Sequence, residues 1–355
     1  MKKYLLACLL GAAALTGCDP DKETGPSIPG SPGVFVLSEG QFGKGDAAVS
    51  AFGTSSKTLL VDAFGTINSG AALGDVVQDM GIVGSNAYIC VNASNKVEVV
   101  GANTFRSIAT IRNIRQPRYF AFSSASRGYV TSWRGPYTNY QPGKVMVLDL
   151  NNNTVIDSIT VGRNPEQLIA LNGKLYVPNS NDNTVSVIDV ATNKVTATVT
   201  VGDGPRTVVA DQAGNIWALC TGFTVYNASP PYNVISSTPG SLVRFAASGT
   251  TTQLTLPFAG SSPSKLYIDP ARTQLYYGYN GAEYQMSTTA TALPTTPFIR
   301  RNFNGLAIDP RDNTIYAAVS TGYTTNGRFL RYPAAGGAPI DSFTVKVGPN
   351  GFVFY

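Results

Sequence analysis

The sequence predicts an all-β, seven-bladed β-propeller of four-stranded blades, and three observations carry that prediction. One phrase recurs along the chain: a Gly-Pro turn, an apolar run, a tight turn, Tyr-Val, a loop, alternating Val, then Thr and Asn. The strands it contains are short and separated by turn residues. The final segment, Val347 to Tyr355, reads VGPNGFVFY and matches VGRNPEQLIA and VGDGPRTVVA, which open two internal units.

The clearest copy runs from Pro165 to Gly202 and predicts strands near 167–171, 174–178, 184–190 and 195–201, joined by Asn-Gly, Asn-Asp-Asn and Ala-Thr-Asn turns. In its last strand Val195, Ala197, Val199 and Val201 face one way and Thr196, Thr198 and Thr200 the other, the period-two pattern of a half-buried strand. Its third strand places Val185 and Val187 on one face, then Ile188 and Val190 on the other, as in a strand buried on both sides.

Earlier copies supply PRYFAF, RGYVTS, KVMVLDL and VIDSITVG, preceded by VVQDMGIV, AYICV, KVEVV and FRSIATI. Later ones supply PRTVVAD, NIWALC, SLVRF and QLTLP, then PSKLYIDP, QLYYGY, EYQMS and TPFI, then NFNGLAIDP, TIYAAV, RFLRYP and DSFTVKVG. Residues 33–64 give only three strands, GVFVLSEG, AVSAFG and TLLVDAF, so the C-terminal segment is expected to enter that unit and close the ring without a free edge. An open β-solenoid and an eight-bladed ring are the alternatives.

Ahead of the domain, residues 1–17 read as a signal segment: Lys2 and Lys3, an apolar stretch from Tyr4 to Leu15, then Leu15-Thr16-Gly17-Cys18. That tetrad resembles a bacterial lipobox, which implies lipidation of Cys18 and an anchored, exported protein. A plain secretory signal is the alternative. Residues 18–32 read as a flexible stalk rich in Pro and Gly, and 33–355 as the propeller.

Composition narrows function. The 355 residues are 43% AVILMFWYC and 13% charged, as expected of a packed globular chain. A net charge of +5 lacks the basic stripe that nucleic acid requires, so no nucleic-acid partner is expected. Zero His removes Ser-His-Asp and Cys-His nucleophiles and every imidazole-ligated metal. Cys90 and Cys220 lie in apolar strand-like runs and read as buried free thiols, with a disulfide between them the alternative.

Tyr129-Val130-Thr131-Ser132 and Tyr176-Val177-Pro178-Asn179 sit where the signature of the YVTN-type, or YncE-like, seven-bladed propellers does, and NTVSVIDVATNKVTATVTVG follows that family's consensus. The opening GVFVLSEGQFGKGDAAVSAF, with LGDVVQDMGIVGSNAYICVNASNKVEVV and QPRYFAF, is similar to surface lipoproteins of the BtuG type. That resemblance implies an outer-membrane, cell-surface location and anchoring through lipid only. It also implies cobalamin or another corrinoid as ligand and a TonB-dependent outer-membrane transporter as partner.

Loops on one face of such a ring, those joining second to third strands and blade to blade, are long and aromatic, whereas the opposite turns are short and polar. They carry the candidate ligand-binding residues Phe42, Trp133, Arg134, Tyr137, Tyr140, Phe223, Tyr226, Tyr232 and Tyr323, with Arg115 and Arg163 in interblade connections. Tyr and Trp give broad apolar faces with polar tips, and Arg can reach amide, carboxylate or phosphate oxygens. About half of these aromatics are expected to pack their own loops, and Trp217 to belong to the core. Glu39, Asp46, Asp75, Asp79, Asp203 and Glu283 lie near loops or central strands without calcium-loop spacing. The expectation is a surface ligand-capture protein, not an enzyme, with no cofactor and no metal. An adhesion or scaffold module and a His-free hydrolase or lyase are the alternatives.

Overall fold

The computed structural model describes residues 26–136, 139–227, 229–246, 251–255 (as a strand only) and 262–355. The signal segment, Cys18 and the first part of the stalk lie outside the described residues, as does Tyr137. Among the described residues, no helix is long and apolar enough to cross a membrane.

Seven antiparallel sheets form the blades. The chain ends meet in one of them. Pro349–Phe354 pairs with Gly33–Ser38, which pairs with Ala48–Gly53 and then Leu59–Leu60, so the C-terminal strand is innermost in a blade otherwise made by the N-terminus. We call this the closing blade. The second to seventh blades begin with the innermost strands Val77–Val83, Pro117–Ser124, Ile169–Leu171, Pro205–Ala210, Ser264–Ile268 and Gly305–Ile308.

Because side chains alternate along a strand, each middle strand feeds two cores, one against each neighbouring blade. Tyr129 packs toward the fourth blade, with Leu168 and Leu175, while Val130 packs toward the second, with Tyr88 and Cys90. The last core unites Val34, Val36 and Phe52 of the closing blade with Tyr316, Phe329 and Val345 of the seventh. The ring is therefore sealed by side chains as well as by the C-terminal strand. Cys90 and Cys220 are free and fully buried, and Trp217 is a core residue whose Nε1 donates to Asp211 Oδ2 at 2.9 Å.

Three local expectations need correction. The segment TLLVDAF pairs only at Leu59–Leu60, because Asp62 turns into the left-handed region (φ 53°) and accepts the Gly65 N–H at 3.0 Å, starting a short helix, Ala63–Ile67. TPFI makes no strand: a single bridge, Glu283 with Ile299, stands in for the outermost strand of the sixth blade. In Lys194–Thr200 the ladder shifts register between Val187 and Ile188, leaving Thr196 unopposed, so Val195 is exposed and only Val199 is buried.

Removing Pro349–Tyr355 would leave Gly33–Ser38 as an open edge and strip Phe352 and Phe354 from the closing core. The truncated protein is expected to lose the single cooperative thermal transition of the full chain and to aggregate. A cooperative melt within about 5 °C of the full chain's would contradict closure as the basis of the fold.

Candidate functional site

Antiparallel order fixes which loops share a face. Each innermost strand starts at one face of the ring, so the blade-to-blade connections and the loops between second and third strands lie together there. Five of the predicted residues follow one another across that face. Phe42, on the loop between Ser38 and Ala48, shares a cleft with Asn92, Asn95 and Arg115. Arg115 reaches the next loop, its Nη2 donating to Gly135 O at 3.3 Å. Beyond it Trp133 stacks edge-on with Tyr140 at 6.1 Å between ring centroids and donates from Nε1 to Pro165 O at 3.1 Å. Tyr323 continues the arc on the other side, over a cleft shared with Glu39, Gly40 and Lys265.

These residues differ in what they can offer. Phe42 and Tyr323 are 76% and 93% exposed, whereas Trp133 and Tyr140 are half-buried and held by their own loop. Arg134 is half-buried, and its Nε has no partner among the described residues. Arg163 is engaged within its own face: Nε donates to Asp182 Oδ1 at 2.7 Å, and its backbone N–H to Oδ2. Phe223, Tyr226 and Tyr232 stand apart on a two-stranded hairpin, Thr224–Tyr226 with Val234–Ser237, inserted in the fifth blade. The long loop was legible as an insertion, but its pairing was not. Asp46 and Asp75 are turn-holding acids, accepting the Gln41 and Gly43 N–H groups at 2.7 Å each. No group of three or more Cys, Asp or Glu could hold a metal among the described residues.

Below this face lies a feature the loops did not announce. The blade openings superimpose in sequence on a buried position: Val77, Pro117, Pro165, Pro205, Pro263, Phe303 and Pro349. The next residue in each blade is Gln78, Arg118, Glu166, Arg206, Ser264, Asn304 or Asn350, and the one after it Asp79, Tyr119, Gln167, Thr207, Lys265, Gly305 or Gly351. Most of this second set lines the axial channel. Register shifts recur at this point in the second, third, fifth and sixth blades. Aligning the units on the buried position would have exposed the ring. Read singly, its members have no motif.

The two sets form a hoop of hydrogen bonds around the axis. Asp79 Oδ2 accepts the Phe120 N–H at 2.8 Å; Arg118 grips Glu166 with two nitrogens at 2.9–3.2 Å and Gln78 Oε1 at 2.6 Å. Gln167 N–H donates to Arg206 O, and Leu266 N–H to Thr207 Oγ1 at 2.9 Å. Lys265 Nζ then spans two blades, donating to Asn304 O at 2.5 Å and Asn350 O at 2.8 Å, and Asn350 Nδ2 returns to Val77 O and Glu39 Oε1 at 3.0 Å each. Gly305 permits that approach: a Cβ there would meet Asn350 O at 2.2 Å. Trp133 joins the hoop to the loops, since Arg118 Cζ sits 4.3 Å from its ring centroid.

Burial sets the electrostatics. Desolvation pushes Asp79 up to about 7, against the opposing Phe120 and Met80 N–H groups, and pulls Lys265 down to about 8 despite Glu39. Glu283, 2% exposed, is pushed up to about 8. Tyr119 and Tyr267 rise above the phenol range for the same reason, so both stay neutral.

Over residues 32–354 the chain matches the family described as Domain of unknown function (DUF5074). It belongs to that family. No curated protein matches the chain. Among solved structures it is similar to a quinonprotein alcohol dehydrogenase-like protein from Bacteroides thetaiotaomicron, with 15% identity, TM-score 0.67, and coverage of 91% of this chain and 78% of that one. It is also similar to a functionally unknown protein from Desulfotomaculum acetoxidans (10%, TM-score 0.65, 92% and 99%) and to hydrazine synthase of Kuenenia stuttgartiensis (15%, TM-score 0.58, 85% and 96%). Identities this low establish the propeller fold of this DUF5074 chain and nothing about its activity.

Two outcomes test the hoop. Arg118→Met alone or Glu166→Gln alone is expected to destabilise the protein by about 3–5 kcal/mol, because each strands a buried charge or donor. The double variant Arg118→Met/Glu166→Leu is expected to recover most of that loss in urea titrations. Asp79 binds its proton more tightly folded (about 7) than unfolded (3.8), so its contribution is complete below about pH 4 and lost as pH rises through 7. Asp79→Asn should therefore gain on wild type by about 2–4 kcal/mol between pH 4 and pH 7.5; a gap that stays constant with pH would refute the assignment.

Proposed function

We propose that this DUF5074 propeller is a non-enzymatic capture protein. On this reading it holds a large, flat amphipathic ligand across the arc that runs from Tyr323 through Phe42 and Arg115 to Trp133 and Tyr140. The observation that carries the reading is the composition of that arc: exposed aromatic tips at its ends, an arginine between them, and a half-buried Trp–Tyr pair anchored to the hoop. Aromatic faces on a fixed frame cover a broad ligand at low side-chain entropy cost, while Arg115 supplies directional bonds to amide or carboxylate oxygens.

A corrinoid, cobalamin first, fits that description: a broad ring fringed with amides. The resemblance of the opening segments to BtuG-type lipoproteins favours the same ligand. It extends to a cell-surface outer-membrane protein, tethered through lipid on Cys18, that hands its ligand to a TonB-dependent transporter. Without His, the protein would grip the corrinoid by shape, aromatic contact and hydrogen bonds, and would not ligate cobalt through imidazole. Arg163 contributes less than its position promises, because Asp182 already occupies its guanidinium.

Residues 19–355, titrated with cobalamin, cobinamide, haem and a glycan panel, should give saturable one-to-one corrinoid binding by calorimetry and by the visible spectrum of co-eluting ligand. Phe42→Ala and Tyr323→Ala, both on exposed tips, should each weaken binding about tenfold or more without moving the melting temperature, a loss of about 1.4 kcal/mol or more. Absence of corrinoid binding, or binding indifferent to both variants, would overturn the proposal and direct the search to a protein or glycan partner.

A further inference from the structure

The axial channel is a cavity of about 360 Å³. Toward the loop face its lining presents Lys265, Asp79 and Asn350, and further along the strands Val209, Ile308 and Phe352 beside the Tyr267 phenol. Bonding capacity is left over toward the loop face. Lys265 carries three ammonium protons and places two of them, on Asn304 O and Asn350 O. Among the described residues, no carboxylate forms an ion pair with Lys265, although Asp79 shares its cavity. Lys265 feels the charges of Glu39, Asp79 and Glu166 but is bonded directly only to the two carbonyls, so its remaining ammonium proton can meet an incoming anion.

We propose that this channel binds a small monocarboxylate with an apolar tail. Its carboxylate accepts the remaining proton of Lys265, and its tail lies along Val209, Ile308 and Phe352. Chemistry along the channel selects the class. An alcohol or amide leaves the ammonium without a counter-charge, and a dicarboxylate would press its second charge onto those apolar side chains. At roughly 30 Å³ per water-sized group, the cavity holds a carboxyl group and about four to eight carbons. The route in is the cleft beneath Tyr323, which shares Lys265 and Asn350 with the channel. The site does not depend on corrinoid binding by the loops above it.

Charge around the site makes binding pH-dependent. The other groups near the throat are Glu39, which accepts from Asn350; the Arg118–Glu166 pair, whose charges are spent on each other; exposed Arg206; and the neutral phenols Tyr119 and Tyr267. Near pH 6 Lys265 is charged and Asp79 largely protonated, able to donate to the ligand. By pH 8.5 Asp79 is ionised and repels it, while Lys265 has lost much of its charge.

Hexanoate, hexanol, hexanamide and adipate, each titrated into residues 19–355 by calorimetry and saturation-transfer NMR, test the proposal. Hexanoate is expected to bind one-to-one at pH 6, at least tenfold tighter than the other three, and about tenfold weaker at pH 8.5. Ala307→Phe fills the channel and leaves the hoop untouched, so it should abolish binding while keeping the wild-type melt. Lys265→Arg should retain weakened binding and Lys265→Met none. Failure of hexanoate to bind, equal binding of hexanamide, or binding that survives Ala307→Phe would each overturn the proposal.

Discussion

Every blade of this ring has two apolar faces and therefore needs a neighbour on each side, so the structure depends on the strand that closes the circle. Pairing of Pro349–Phe354 with Gly33–Ser38 removes the one free inner edge, and the core formed by Val34, Phe52, Tyr316 and Phe329 removes the one uncovered face. The hydrophobic term acts between blades, since a single four-stranded sheet has nothing to bury against. Close to the axis, where the seven innermost strands begin, polar bonds link the blades. The hoop links successive blades there through Asp79, Arg118, Glu166, Thr207, Lys265 and Asn350.

This division of labour separates stability from recognition. Apolar cores fix the blades, the hoop fixes their starting points, and the loops that leave those points are free to vary in length. Trp133 marks the boundary. Its indole rests against the Arg118 guanidinium in the hoop and donates to Pro165 O, yet its outer side pairs with Tyr140 on the loop. An aromatic held in this way loses little side-chain entropy when a ligand arrives, which is what preorganisation requires. Phe42 and Tyr323 lie at the other extreme: their loops are held by bonds such as Gln41 and Gly43 N–H to Asp46 and Asp75, but their side chains are exposed.

Much of the fold was legible because blade interfaces impose a repeating demand on sequence. The strands, the Gly-Pro openings and the C-terminal copy of those openings could all be read from residue pattern, and the inward cysteines and Trp217 followed from their apolar setting. Pattern failed where a side chain or an extra residue intervened. Asp62 diverted the strand after Leu60 into a helix, and the bulge at Thr196 turned Val195 outward. The candidate site was legible only in part. Long aromatic loops are conspicuous, and Phe42 with Arg115 was recoverable as part of one face. That Asp182 would occupy Arg163 depended on loop geometry that spacing does not encode.

The channel was illegible for a different reason. A repeat constrains the positions that pack between blades and leaves free those that face the axis, so the residue two places after each buried opening can be Asp, Tyr, Gln, Thr, Lys or Gly without disturbing the ring. Solved propellers that share 10–15% identity with this chain superimpose on it because they meet the same packing demand. The freedom that hides the axial residues from pattern reading also lets them carry chemistry that the ring does not dictate. In this chain, two glycines follow Lys265 around the ring at the same position, Gly305 and Gly351. The close approach at Gly305 brings Asn350 O within reach of the Lys265 ammonium, and two carbonyls then hold it at the mouth of a channel whose lining includes Val209, Ile308 and Phe352. A structural bridge needs no cavity behind it, and a dry core needs no cation, so the coexistence of the two at one place is the feature by which the axial chemistry of this propeller is to be judged.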